Sequence, residues 1–83
     1  MLFDLIKAKY LEGYKLKLEF ENGKTGIVDF CEYLNKGGIF KRLKNKEFFK
    51  KFYIDKDLGT ICWPQNIDIA PETLYAKIKS GKK

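Results

Sequence analysis

Histidine is missing from this 83-residue chain. Its absence removes His-based catalytic pairs and triads, and with them the commonest metal ligand. Cysteine is scarce. Cys31 and Cys62 are too few for a disulfide framework, and with no other Cys or His they cannot build a zinc site within one chain. Both read as small buried hydrophobes in a reduced, cytoplasmic protein. Apolar runs are short, well below the ~20 residues of a membrane span. The first residues, Met1-Leu2-Phe3-Asp4-Leu5-Ile6-Lys7, have no basic segment leading into an apolar one, so neither a secretion signal nor a membrane role is expected. Glycine spacing matches neither a phosphate-binding loop nor a dinucleotide fingerprint. Asp55-Lys56-Asp57 opens like a calcium loop, but the count along such a loop lands on Asn66 where a bidentate Glu is needed. No cofactor or metal is therefore expected. No carboxylate or cysteine stands out as a catalytic group either, so the expectation is a protein that is not an enzyme.

What is present is bulky and basic. Seven Phe, five Tyr and one Trp supply material for a small core. The length allows one domain, residues 1–83, of modest stability. The net charge of +6 is unevenly placed. Between residues 41 and 51, Lys41, Arg42, Lys44, Lys46, Lys50 and Lys51 stand against Glu47 alone, and the tail adds Lys77, Lys79, Lys82 and Lys83. The rest of the chain is net acidic. Such a segment is either a footprint for nucleic acid or an acidic partner, or a solvated lysine-rich helix face.

Alternation sets the first half. Residues 4–12 read as a strand with Ile6, Ala8 and Tyr10 on one side and Lys7 and Lys9 on the other. In Tyr14-Lys15-Leu16-Lys17-Leu18-Glu19-Phe20 the apolar residues share one face, which favours an antiparallel sheet with one wet side. Asn22-Gly23 signals a hairpin of type I′, in which both central residues take positive φ. Residues 25–30 form the third strand, with Val28 and Phe30 inward, and complete a meander.

The second half reads as short helices and a further hairpin. Residues 31–34 make a helical turn that Gly37-Gly38 ends, and Phe40 and Leu43 share one face of another. Asn45 caps a helix over 46–52 whose apolar stripe is Phe48, Phe49 and Phe52. Tyr53-Ile54 and residues 60–63 form a second β-hairpin around an Asp-rich turn with Gly59 in a left-handed position. Pro71 starts a C-terminal helix, favoured by Glu72, docked by Leu74, Tyr75 and Ile78, and with Asp68 as the candidate cap. The expected class is α+β.

The segment Gly59-Thr60-Ile61-Cys62-Trp63-Pro64-Gln65-Asn66-Ile67-Asp68-Ile69-Ala70-Pro71-Glu72 holds the only Trp and both prolines. With Tyr14 to Phe20, Asn22-Gly23, Val28-Asp29-Phe30, Gly38-Ile39-Phe40 and Phe48-Phe49, it resembles a bacterial family, domain of unknown function 2442. The resemblance spans about residues 6–75. Trp-Pro and Asp-x-Ala-Pro-Glu carry most of its specificity. The family pattern is Trp-Pro-Asn-Gly, and here Gln65-Asn66 stands at the Asn-Gly position. The resemblance implies a small α+β fold without established activity. Some members look like antitoxin partners of a small protein encoded beside them, and others carry a C-terminal helix-turn-helix, which these residues do not include.

The expected function is a non-enzymatic protein-interaction module, in its sharpest form an antitoxin-like partner of a small toxin. Trp63, Pro64, Gln65, Asn66 and Asp68 form the expected contact, as an exposed turn beside a sheet edge. The structural alternative for Trp63 is to end a strand and pack on the sheet. The competing class is nucleic-acid binding or regulation through Lys41, Arg42, Lys44, Lys46, Lys50 and Lys51 with the C-terminal tail. Two separate hairpins leave free edges, which makes a homodimer reasonable.

Overall fold

The computed structural model describes residues 3–80, the side chains of Ile39, Lys79 and Ser80 excepted. Lys82 and Lys83 of the basic tail lie outside the described residues. Three strands come first: β1 (Leu5–Glu12), β2 (Lys15–Phe20) and β3 (Thr25–Asp29). They pair antiparallel in the order β1-β2-β3. Leu16, Leu18, Phe20 and Val28 point into the core, as the alternation requires, and the intervening lysines face water.

Two details of this sheet differ from the sequence pattern. The register slips between Leu5 and Lys7, so Leu5 is buried while Ile6 is 43% exposed. A bulge of this kind inserts one unpaired residue and resets which side chains face inward. The inner face of β1 is thus Leu5, Ala8 and Tyr10, with Ile6 outside the alternation. The β2–β3 hairpin is present, but its turn runs from Phe20 to Gly23, the Gly23 N–H donating to the Phe20 carbonyl at 2.9 Å. Gly23 has φ 89°; Asn22 is not left-handed and instead accepts the Lys24 N–H on its side-chain oxygen. The Asn22 side chain therefore satisfies the turn locally and removes the need for a second positive φ.

The middle of the chain is helical and short. α1 (Cys31–Leu34) follows Asp29, whose Oδ1 accepts the Cys31 N–H. A 3-10 helix (Gly38–Lys44) buries Leu43, and α2 (Lys46–Phe49) is capped by Asn45, whose side chain accepts the Phe48 N–H. This helix ends three residues before the periodicity would allow.

β4 (Tyr53–Asp55) and β5 (Thr60–Trp63) form the expected second hairpin. The Asp55 carboxylate accepts the Asp57 and Leu58 N–H groups, and Gly59 takes φ 68°. A sixth strand, β6 (Ile67–Asp68), extends the hairpin to a second antiparallel sheet, β4-β5-β6. The central β5 is buried along its whole length, so it shows no alternation, and its one polar side chain, Thr60, donates its hydroxyl to the Ile69 carbonyl. Asp68 lies in β6 opposite Cys62 and is exposed; it is not the cap of the last helix. That helix, α3 (Pro71–Ser80), packs on β3. The architecture is α+β.

The two sheets and α3 share one core. The Leu5 N–H donates to the Gly59 carbonyl at 2.9 Å, joining the edge of the first sheet to the β4–β5 loop. Phe49 sits among Tyr14, Phe30 and Trp63, with ring centroids 5.2–5.9 Å apart, and ties α2 to both sheets.

Candidate functional site

The structure separates the five residues expected to form a contact turn. Trp63 has no exposed surface at all. It stacks on Phe49 at 5.8 Å and meets Phe30 edge-on, and its Nε1–H donates to the Phe49 carbonyl at 2.7 Å. Trp63 is therefore corrected from surface contact to core anchor. Phe49 is the last residue of α2, where carbonyls lack intrahelical donors, so the indole supplies the missing partner.

Beyond Trp63 the chain emerges. Pro64 is half-buried, and Gln65, Asn66 and Asp68 are exposed. Gln65 has φ 72° and Asn66 φ 64°, the two non-glycine residues with positive φ among the described residues. The left-handed pair expected at Asn22-Gly23 occurs here instead. For an L-residue this region costs about 1–2 kcal/mol, less for Asn. Gln65→Asn with Asn66→Gly should therefore raise stability by about 1–2 kcal/mol, read as a higher urea midpoint with unchanged slope.

The basic segment holds together as a surface. Lys41, Arg42, Lys44, Lys46, Lys50 and Lys51 are all exposed. The ion pairs found among the described residues, Lys15–Glu12 and Lys77–Glu32, do not involve it. Its members are not equivalent. The Lys46 ammonium lies 5.7 Å from the Tyr14 ring centroid and Lys50 lies 4.9 Å from that of Tyr10. These two lysines cover aromatic faces at the open end of the first sheet. The Tyr14 hydroxyl donates to the Lys44 carbonyl, pinning the end of the 3-10 helix to the same sheet. Lys41, Arg42, Lys44 and Lys51 have no such ring or ion-pair contact among the described residues. Lys77, counted in the basic tail, is committed to Glu32 and the Tyr33 ring.

The family model described as protein of unknown function DUF2442 matches residues 5–80. The chain belongs to the DUF2442 family. No curated protein and no solved structure matches it. The match contains both surfaces of this DUF2442 chain, the turn after Trp63 and the basic segment, together with the Phe49–Trp63 contact between them.

The cysteines of the DUF2442 chain differ in setting. Cys62 is buried on β5, as expected, but Cys31 is exposed at the start of α1 and is corrected from buried hydrophobe to surface thiol. The backbone N–H and thiol of Cys31 hold the Asp29 carboxyl below its ordinary value, and the same thiol–carboxylate hydrogen bond raises Cys31. One thiol per native chain should react with a thiol reagent, and a second only after unfolding. Burial pushes the Cys62 thiol up, with the charges of Asp68 and Asp55 adding to it. In the unfolded chain this thiol ionises near its ordinary value of 9.0, while in the folded chain it ionises at higher pH. The associated stability is whole below about pH 9 and is lost as pH rises through the folded value. Between pH 8 and pH 10 the urea midpoint should fall less for Cys62→Ala than for the parent.

Among the described residues no group of three or more His, Cys, Asp or Glu is placed to hold a metal ion. No helix among them is long and apolar enough to cross a membrane. The lysines of β1 and β2 alternate with apolar residues and mark a wet face, but their positions relative to one another follow only from the strand register.

Proposed function

We propose that this chain is a protein-interaction module without catalytic chemistry, which binds a partner through Pro64, Gln65, Asn66 and Asp68. In its sharpest form the partner is a small toxin whose active surface the contact covers. The reading is carried by the turn itself. Two exposed non-glycine residues, Gln65 and Asn66, are held left-handed one residue beyond a fully buried Trp. Strained, exposed backbone on a rigid support concentrates at binding sites, because the support and not the loop sequence sets the shape presented. Lys41, Arg42, Lys44 and Lys51 would steer an acidic partner to the domain.

The test is co-purification of the tagged chain from its own host at physiological salt, with and without nuclease. A small protein retained in stoichiometric amount after nuclease, and lost from Gln65→Ala/Asp68→Arg while the variant stays folded, is the expected result. Retention unchanged in that variant would reject the turn as the contact.

The second reading is nucleic-acid binding, favoured by four exposed cations of the basic segment that have neither an ionic nor an aromatic partner among the described residues. It predicts binding that weakens steeply with salt through counterion release. Nucleic acid in the eluate that disappears with nuclease, with no protein partner, would favour it. Binding that is flat with salt would remove it.

A further inference from the structure

The outer face of the first sheet carries a charge arrangement that folding does not favour. The β1–β2 register places Lys9 directly opposite Lys17 and Lys7 opposite Glu19. Like charges facing each other across an antiparallel pair are destabilising. Around them lies an open groove of about 420 Å3, lined by Lys7, Ala8, Lys9, Lys17, Leu18 and Glu19 and by Ile54 of the second sheet. A smaller groove of about 230 Å3 adjoins it through the same Ile54. On β3, Ile27 lies next to Lys17 in register and is 60% exposed.

β1 is also an edge strand. It pairs with β2 on one side, and among the described residues no strand pairs with its other side. Its Leu5 end is occupied by the hydrogen bond to Gly59, and Ile54 of β4 stands beside Lys7 to Lys9; among the described residues the main chain from Lys7 onward makes no hydrogen bond on that side. A free strand edge offers main-chain donors and acceptors to an added strand, while the side chains beside it choose the sequence.

We infer that this groove binds an extended acidic peptide segment of a partner protein, added along the free edge of β1, with its carboxylates between Lys9, Lys17 and Lys7. The bound carboxylates relieve the repulsion between Lys9 and Lys17. Glu19 sets polarity within the site by favouring a basic or polar residue at one end. Ile54 supplies apolar contact to alternate side chains. A nucleic-acid strand fits less well on three counts. Glu19 lies within the groove. Glu12 and Asp29 flank Lys15 across the strands at the far end of the sheet. No aromatic ring lines the groove for a base to stack on. The inference does not rest on the turn at Pro64 to Asp68, with which the groove shares no residue.

The test uses the full chain and a fluorescein-labelled octapeptide of four Glu-Thr repeats, read by fluorescence anisotropy at 50 mM and 300 mM salt. An octapeptide of four Lys-Thr repeats and a ten-nucleotide oligothymidylate serve as competing probes. The expected result is binding of the acidic peptide alone, weakened by salt, with amide exchange slowed at Lys7 to Leu11. Lys9→Glu and Lys17→Glu should each reduce affinity about tenfold or more. Each variant also replaces a like-charge pair with an opposite-charge pair, so its melting temperature should hold or rise. Loss of binding in a variant at least as stable as the parent cannot come from unfolding. Equal binding by parent and variants, or no binding of the acidic peptide, would overturn the proposal. Tighter binding of the oligonucleotide, lost in the same variants, would overturn it in favour of a nucleic-acid groove. Protection appearing away from β1 would overturn the edge-strand geometry.

Discussion

Replacing Trp63 with Ala should lower the unfolding free energy by about 3–5 kcal/mol, the cost of removing a large aromatic from a packed core. A domain of this size holds only about 5–15 kcal/mol in total, so the variant should lose a large share of its stability. The melting temperature should fall by roughly 15 °C or more, since each kcal/mol moves it by about 4–8 °C in such a domain. Two losses combine. The indole leaves a void among Phe30, Phe49 and the strands, and the Phe49 carbonyl loses its donor at 2.7 Å. Trp63→Phe separates them, because it keeps an aromatic ring but not the N–H. It should cost about 1–3 kcal/mol for the unsatisfied carbonyl, plus a smaller packing loss. Because that carbonyl closes α2, both variants should loosen the segment carrying Lys46 and Lys50, seen as faster amide exchange there. If Trp63→Ala melted like the parent, the anchoring role would be wrong. The same result would make Trp63 available as a surface contact once more.

The second large effect is expected at Gly26. It lies on the inner face of β3, opposite Leu18 and against Ile78 of α3. A Cβ built there would stand 2.6 Å from the Ile78 Cγ2 and 3.2 Å from the Ile78 Cβ. The second distance matters more, because a Cβ cannot rotate away; the helix itself must move. Gly26→Ala should therefore cost about 1–3 kcal/mol by overpacking. Ile78→Ala alone should also destabilise, by removing the side chain that fills the place. The double variant should be more stable than the sum of the two single effects predicts. A double-mutant cycle in urea measures that coupling directly. Additive effects would mean that α3 is not held by this contact.

Much of this fold is legible in local chemistry. Leu16, Leu18 and Phe20 alternate with lysines and point inward, Asn45 caps α2, and Pro71 opens α3 where its missing N–H costs nothing. The parts that were not legible depend on partners distant in sequence. Ile6 continues the apolar alternation but sits at a bulge, beside Leu5, whose N–H donates to the Gly59 carbonyl in the distant β4–β5 loop. β6 is two residues long, too short for any periodicity to register. Asp68 has the composition of a cap but is used in a strand. The candidate turn was half visible. Gln65 and Asn66 could be placed in a tight turn, whereas the burial of Trp63 depends on Phe30 and Phe49, 33 and 14 residues upstream. The lysine groove was invisible, since facing Lys9 toward Lys17 is a matter of register and not of pattern.

The order of the strands bears on how the chain is made. Each sheet is assembled from consecutive strands, and no strand of one is inserted into the other. Synthesis proceeds from the N-terminus at about 5–20 residues per second. The whole of the first sheet is therefore translated before Tyr53, the first residue of the second, and emerges from the ribosome ahead of it. Its hairpins need only short loop closures and can form early. They cannot be stable alone, because Phe49, Ile61, Trp63 and Leu74 have yet to cover Leu16, Leu18 and Phe20. The nascent chain thus carries a formed but uncovered sheet until the last helix arrives, and chaperone contact during translation should concentrate in that interval.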